Sequence, residues 1–329
     1  MIIESISKNN WFTDYTVQWR PIMMCNYDCS YCSPTSHLAI EKRSIPTAND
    51  LIKAAKNLRN AIPKDKETMV VITGGEPFLI KDIHLWLEYL LDNNFYIMIF
   101  TNSSLNEETY KKCKKVFSNK KLLFKMSFHP EFADIDKFAT LANNIQKLGA
   151  KVEIRAMLAN KMFDKIDELE SKTNVDFIRL PVFPLYNKKE NKVNPINSSS
   201  RNLKDYYQTA DDGKLNYFTK DELQKLKQYE DVDPPDYLKI KINDNIDYSA
   251  DKIVLQGKNI FKGWKCSVVQ RKLVIKPNGD LHYGICNNEG VFGNIYDENL
   301  DLFSKKFTTC NAPLCGVIEE VMLEKYKDV

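Results

Sequence analysis

The stretch Cys25-Asn26-Tyr27-Asp28-Cys29-Ser30-Tyr31-Cys32 follows directly on the apolar and β-branched run Tyr15–Met24. A short loop that carries three thiols where a strand ends has the makings of a ligand set. At this CxxxCxxC spacing three thiolates can hold three irons of a [4Fe–4S] cube and leave the fourth without a protein ligand. An open iron can take up a substrate or cofactor, whereas a four-cysteine site is closed. Zinc is the alternative, although it usually wants CxxC pairs and a fourth ligand nearby.

Working outward from that loop, strand-like runs recur at Tyr15–Met24, Met69–Thr73, Phe95–Thr101, Leu122–Phe128, Val152–Leu158 and Phe177–Val182. Helical spacing lies between them. Leu51, Ala54, Ala55, Leu58 and Ile62 share one helix face, and Ile83, Trp86, Leu87, Leu90 and Leu91 share another. Tyr110, Cys113 and Phe117 mark a further helix, on which Cys113 reads as a core residue. Phe138, Leu141, Ala142, Ile145 and Leu148 mark the next, with Gly149 as its stop. Strands alternating with helical connections give right-handed βαβ units and a parallel sheet. The expected class is α/β, a partial (β/α)6 barrel over residues 15–185, with an open doubly wound sheet as the alternative. In either architecture ligands sit at the carboxyl ends of the strands.

The second strand ends in Thr73-Gly74-Gly75-Glu76-Pro77. Two glycines let backbone approach a ligand closely, and Pro77 ends the strand. With CxxxCxxC, the aromatic Tyr31 just before the last cysteine, and GGEP one βα unit later, the chain resembles the radical S-adenosylmethionine (radical SAM) superfamily over residues 15–183. The resemblance implies that Cys25, Cys29 and Cys32 hold a [4Fe–4S] cluster whose open iron is chelated by the amino and carboxylate groups of S-adenosylmethionine (SAM). Gly74, Gly75, Glu76 and Pro77 would line the amino group, and Tyr31 would lie near the adenine. The reduced cluster would split a C–S bond of SAM, and the 5′-deoxyadenosyl radical would take hydrogen from a substrate. An electron donor such as flavodoxin or ferredoxin is implied.

Other strand ends carry polar residues. Asn102 follows the third strand, in Thr101-Asn102-Ser103 where many relatives resemble TNG. Ser127 and His129 close the fourth; Ser127 reads as a SAM contact or a strand-end hydrogen bond, His129 as a site residue or a turn cap. Arg155 in the fifth strand reads as a partner for a SAM or substrate carboxylate, or as an ordinary ion pair.

After Pro184 the composition changes. Tyr186–Leu215 is rich in Asn, Lys, Ser and Asp and reads as a long surface loop or lid, within a polar linker over 186–260. Thr219 and Glu222 form a capping box that opens a short helix through Tyr229. Residues 261–329 hold Cys266, Cys286, Cys310 and Cys315, with a β-hairpin turning at Pro277-Asn278-Gly279-Asp280. This tail resembles the twitch domain, a shortened SPASM domain, and implies a second, auxiliary [4Fe–4S] cluster. It departs from that pattern in the Gly279-to-Cys286 spacing and in closing with Cx4C rather than CxxC. A structural zinc site is the alternative.

The whole chain has 329 residues, 43% of them hydrophobic, enough for one large domain and a smaller one. Lys+Arg 47 against Asp+Glu 44 leaves a net charge of +3 with no basic stripe, so nucleic acid is not the expected partner. Mean hydropathy is −0.42 and no long apolar run is present, which excludes a transmembrane helix. Residues 1–14 carry an acid and no apolar core of a signal peptide, so a cytoplasmic location is expected. There the eight cysteines read as metal ligands or catalytic groups rather than disulfides. Only 24 residues precede Cys25, few for a domain that binds a peptide leader. The substrate is therefore expected to be a small molecule of sugar or aminocyclitol type, dehydrogenated or epimerised. The alternatives are a peptide, as in a maturase, and more distantly a non-catalytic Fe–S electron carrier.

Overall fold

A computed structural model describes residues 3–7, 13–29, 31, 32, 45–181, 183–187, 192–196, 219, 221, 222, 224, 225, 239–244, 246–250, 253, 257–286, 290–313, 315 and 318–327. The chain enters through β1 (Ser5–Ser7) and then lays down β2 (Tyr15–Trp19), β3 (Thr68–Ile72), β4 (Tyr96–Thr101), β5 (Leu122–Phe128), β6 (Lys151–Leu158) and β7 (Asp176–Pro181). β2 to β7 pair in sequence order, all parallel, as the alternation predicts.

The burial of these strands alternates. β5 buries Leu122, Phe124, Met126 and Phe128 on one face and leaves Leu123, Lys125 and Ser127 half-buried on the other. The buried face is covered by α1 (Ala48–Ala61), α2 (Ile83–Asp92), α3 (Glu107–Lys112), α4 (Lys114–Phe117), α5 (Ile135–Leu148) and α6 (Phe163–Ser171). The opposite face is the inner wall of the partial barrel, where β5 and β6 present Lys125, Ser127, Glu153 and Arg155.

The helices form where the sequence places them. α1 opens with a capping box between Thr47 and Asp50 and buries Leu51, Ala54, Ala55 and Leu58. α5 is capped by the Asp134 carboxylate, which accepts from the Lys137 N–H, and it stops at Gly149 with φ 118°. Trp86 of α2 meets Trp19 of β2 edge-to-face at 5.0 Å between ring centroids, inside the main core. Emptying that position with Trp86→Ala costs about 3–5 kcal/mol. The helix read from Tyr110, Cys113 and Phe117 is broken at Cys113 into α3 and α4, with φ −83° and ψ 0°. Cys113 is fully buried in the core, as its phase predicts.

One stretch differs from the sequence reading. Part of the polar run assigned to a loop is a hairpin, β8 (Phe183–Asn187) against β9 (Lys192–Ile196). Its register sets Pro184 opposite Pro195. Residues 197–215 lie outside the described residues. The capping box of Thr219 and Glu222 is present, with Thr219 N–H donating to Glu222 Oε2 at 2.7 Å, while Tyr229 lies outside the described residues. Glu222 Oε1 also accepts from the Lys161 N–H at 2.6 Å, which ties this turn to the barrel.

The remaining strands are β10 (Lys239–Ile242), β11 (Ile246–Ser249), β12 (Lys265–Cys266), β13 (Lys272–Ile275), β14 (Asp280–Tyr283), β15 (Gly293–Asn294), β16 (Thr308–Thr309) and β17 (Lys325–Tyr326). β13 and β14 are the expected hairpin, turning at Gly279 with φ +86°. That hairpin is built onto the barrel sheet: β13 runs parallel to β2, with Val274 opposite Gln18. The other sheet has the order β11-β10-β1-β17-β12-β16, so the first strand of the chain completes a sheet of its last residues. No described helix is long and apolar enough to cross a membrane.

Candidate functional site

The connection from β2 to the cysteine loop runs alongside the end of β3. Thr73, Gly75 and Glu76 N–H donate to the carbonyls of Trp19 (3.0 Å), Ile22 (2.9 Å) and Met24 (2.9 Å). Gly75 has no room for a side chain there. A Cβ would stand 1.9 Å from the Met24 carbonyl oxygen, and one on Gly74, at φ +119°, would stand 2.4 Å from that of Ile22. The two glycines therefore leave room for the Ile22–Met24 backbone to pass. Gly75→Val is accordingly expected to push Met24 away and carry Cys25 with it. The variant should purify, after anaerobic reconstitution, with about four fewer irons per chain, one cube's worth. Full iron with only a weaker affinity for SAM would contradict this and restore the ligand role.

Glu76 is 1% exposed and accepts three hydrogen bonds. Oε1 takes the Phe78 N–H at 3.0 Å and the Thr101 hydroxyl at 2.8 Å, and Oε2 takes the Asn102 N–H at 2.7 Å. It thus caps the turn Pro77–Leu79 and fastens β3 to the end of β4. Burial pushes its pKa up from 4.5 to about 7, against the pull of those donors. A carboxyl whose pKa is raised on folding binds more protons folded than unfolded between those values, so stability falls as pH rises from 4.5 to about 7. Glu76→Gln should flatten that slope in thermal unfolding midpoints taken at several pH values. An equal slope in both proteins would show that Glu76 is not the titrating group.

Asn102 reaches the cysteine loop. Its Nδ2 donates to Asn26 Oδ1 at 2.9 Å and stands 3.6 Å from Cys25 Sγ, and its Oδ1 accepts from the backbone and hydroxyl of Ser104. The Tyr27 N–H donates to Cys25 Sγ at 3.4 Å. Cys29 is buried, Cys25 and Cys32 are half-buried, and all three are free thiols within electrostatic reach of one another. Burial pushes the Cys29 thiol up to about 12, so a thiolate there needs a cation to compensate it. Three thiols with N–H donors aimed at one sulfur fit an iron–sulfur cube.

Tyr31 is 1% exposed and packs with Cys29, Met157 and Ala159. Its hydroxyl lies 3.1 Å from His129 Nδ1, and the rings stack at 5.8 Å. The His129 carbonyl accepts from the Phe132 and Ala133 N–H, the turn read from the sequence. Burial holds the imidazole down near pKa 4, so it is neutral at physiological pH and works as a hydrogen-bond partner. Tyr31 and His129 together join the cysteine loop to the end of β5.

Ser127 and Arg155 sit opposite one another on β5 and β6. Their row of the inner wall also holds Lys125 and Glu153, paired at 2.5 Å and 13% and 14% exposed. Arg155 lies over the Phe100 ring at 5.1 Å, and its Nε, buried with no hydrogen-bond acceptor, is 3.9 Å from Glu153. Sequence reading missed Lys125 and Glu153, although period-2 spacing from Ser127 and Arg155 places them on the same face. Arg179 instead pairs with Glu170 and Asp167 of α6.

The C-terminal cysteines converge from separate segments. Cys266 is on β12, facing Thr308 on β16 and Lys325 on β17. Cys310 N–H donates to the Trp264 carbonyl and its own carbonyl accepts from Gly263 N–H, each at 2.7 Å. Asn259 brackets Cys315, accepting its N–H at 2.8 Å and donating to its carbonyl at 2.9 Å. Cys266 is within electrostatic reach of Cys310 and Cys315, and Cys315 of Cys286. Four thiols linked by these influences, three of them buried, are of the ligand type a four-iron cluster takes. Among the described residues no three His, Cys, Asp or Glu side chains are grouped as for a single metal ion.

Comparison with known proteins adds three findings. Residues 19–158 match the family model of the radical SAM superfamily. The chain is 30% identical over 88 residues to 7-carboxy-7-deazaguanine synthase of Aquifex aeolicus, covering 27% of this chain and 36% of that protein. It therefore spans about a third of that curated relative. Among solved structures it is similar to Streptococcus suis SuiB bound to S-adenosylmethionine, with TM-score 0.54 and 18% identity over 89% of this chain and 66% of SuiB. It is likewise similar to anSMEcpe with bound AdoMet, with TM-score 0.52 and 20% identity over 88% of this chain and 77% of that one. At these identities the likeness is one of fold.

Proposed function

Residues 19–158 form a radical SAM domain, and from that premise we propose that the chain is an oxidoreductase that reductively cleaves SAM and takes hydrogen from a small polar substrate. The observation that carries this reading is the three-thiol loop, held by Gly74 and Gly75 against the end of β3 and by Asn102 against the end of β4. When bound there, a reduced cluster supplies the electron that splits a C–S bond of SAM and so generates the hydrogen-abstracting 5′-deoxyadenosyl radical. The residues themselves have simpler tasks. Cys25, Cys29 and Cys32 would hold three irons, and the donors on Cys25 would support its thiolate. GGEP and Asn102 fix the floor on which SAM would lie, and Tyr31 and His129 close its side. Ser127 and Arg155 are proposed to meet SAM or a substrate carboxylate.

The inner wall supports a polar substrate, since Lys125, Glu153 and Arg155 hold charge there without full exposure. Cys266, Cys286, Cys310 and Cys315 are proposed to carry an auxiliary cluster, whose simplest role is to accept an electron from the substrate radical. A flavodoxin or ferredoxin would reduce the first cluster. A peptide substrate is the second reading, favoured by the likeness to SuiB, which has been solved bound to its precursor peptide SuiA. The test is anaerobic incubation with SAM and reductant against panels of aminocyclitols, sugars and short peptides, with 5′-deoxyadenosine measured. The panel that stimulates its release identifies the class. No release with any reductant, with or without substrate, contradicts the assignment.

A further inference from the structure

We propose that Lys325 is the buried counter-charge of the C-terminal four-cysteine site, its ammonium placed beside Cys266 so that it offsets the negative charge of the thiolates and of a cluster they carry. The inference rests on reading Cys266, Cys286, Cys310 and Cys315 as ligands of a second cluster.

Cys266 and Lys325 are directly opposite one another on the antiparallel strands β12 and β17. Opposed residues project from the same sheet face, with Cβ atoms about 5 Å apart. Lys325 is 2% exposed, an unusual place for a lysine. Its Nζ donates to the carbonyls of Glu320, of Val321 at 3.3 Å and of Leu323 at 3.1 Å, and it lies over the Phe261 ring at 5.3 Å. These partners are neutral. Among the described residues no carboxylate comes within ion-pair distance of Lys325 Nζ.

The nearby carboxylate is engaged through one oxygen only, its other, Oε2, being buried without a hydrogen-bond partner. Glu320, also 2% exposed, accepts from the Ile285 N–H and stands 3.6 Å from Lys272 Nζ through the same Oε1. Lys272 thus answers Glu320, and Lys325 is left as a buried cation in excess. A buried charge without an opposite charge is strongly disfavoured, so a charged Lys325 calls for an anionic partner. Both Cys266 and Cys315 are within its electrostatic reach. A cube held by four thiolates is anionic in both redox states and more so when reduced. A fixed cation beside it therefore favours the reduced state and raises the reduction potential, since net charge is one of its controls.

The test uses the full chain carrying Cys25→Ala, Cys29→Ala and Cys32→Ala, so that only the C-terminal site holds iron. Its midpoint is measured by EPR-monitored redox titration. Lys325→Gln keeps a donor and loses the charge. It should lower the reduced-to-oxidised ratio at fixed potential at least tenfold, about 59 mV for one electron. Lys325→Arg should hold the midpoint. Glu320→Gln keeps Oε1 and should move the midpoint the opposite way. If Lys325 only ties down backbone carbonyls, Lys325→Gln lowers the melting temperature and leaves the midpoint unmoved, which overturns the inference. If Lys325→Gln sheds its iron, Lys325→Arg decides: iron kept at an unmoved midpoint supports the counter-charge, and iron lost there as well overturns it. If the triple variant itself binds no iron, the reading of the four-cysteine site falls and takes this inference with it.

Discussion

Alanine at Cys25, Cys29 and Cys32 together is expected to abolish 5′-deoxyadenosine formation and to lower the iron content by about four atoms per chain. The effect should be complete because these thiols are the only cysteines on the loop that the ends of β3 and β4 grip. The variant should still fold. Cys25 and Cys32 are half-buried, and Cys29 belongs to a small side cluster with Tyr31, Met157 and Ala159 rather than to the main core. Iron at the C-terminal site should remain. Iron analysis and chromatography of the reaction products decide it, and continued 5′-deoxyadenosine release by the triple variant would sink the assignment.

Single alanine replacements of Cys266, Cys286, Cys310 and Cys315 are expected to remove the second cluster each time, again about four irons, and to leave SAM cleavage in place. Cys266, Cys310 and Cys315 are 7–9% exposed, and strand pairing or backbone hydrogen bonds hold the backbone of each in place. Cys286 is half-buried and departs in its spacing from Gly279, which makes it the residue to watch. A Cys286→Ala protein that keeps both clusters, cleaves SAM and fails only in forming product would place that thiol outside the ligand set. It would then be the hydrogen donor of an epimerisation, in place of the dehydrogenation that a fully ligated cluster favours.

Much of this arrangement is legible in the sequence because its causes are local. The parallel strands β2 to β7 and the faces of α1, α2 and α5 follow from alternation and from i, i+3, i+4 spacing, and Thr47, Asp134 and Gly149 mark helix ends. The cysteine loop and GGEP are contiguous motifs. What escapes is long-range. Nothing near Lys272 announces that its strand will lie parallel to β2, or that Ser5–Ser7 will pair with residues more than two hundred positions away. The glycines of GGEP are visible as glycines, yet their reason is the passing backbone of Met23 and Met24, which only the fold brings there. Cys113 interrupts a helix whose apolar spacing runs straight through it. Polar composition hid the β8–β9 hairpin, and the pairing of Lys272 with Glu320 joins two segments with no pattern in common.

The proposed N-terminal cluster keeps one iron open for SAM, and EPR of the anaerobically reconstituted and reduced protein, recorded with and without SAM, reads that iron. The cluster signal should change on adding SAM to the intact chain and show no such change in the Cys25, Cys29, Cys32 alanine variant. An identical spectrum with and without SAM, in a protein shown to hold its full iron, would contradict it.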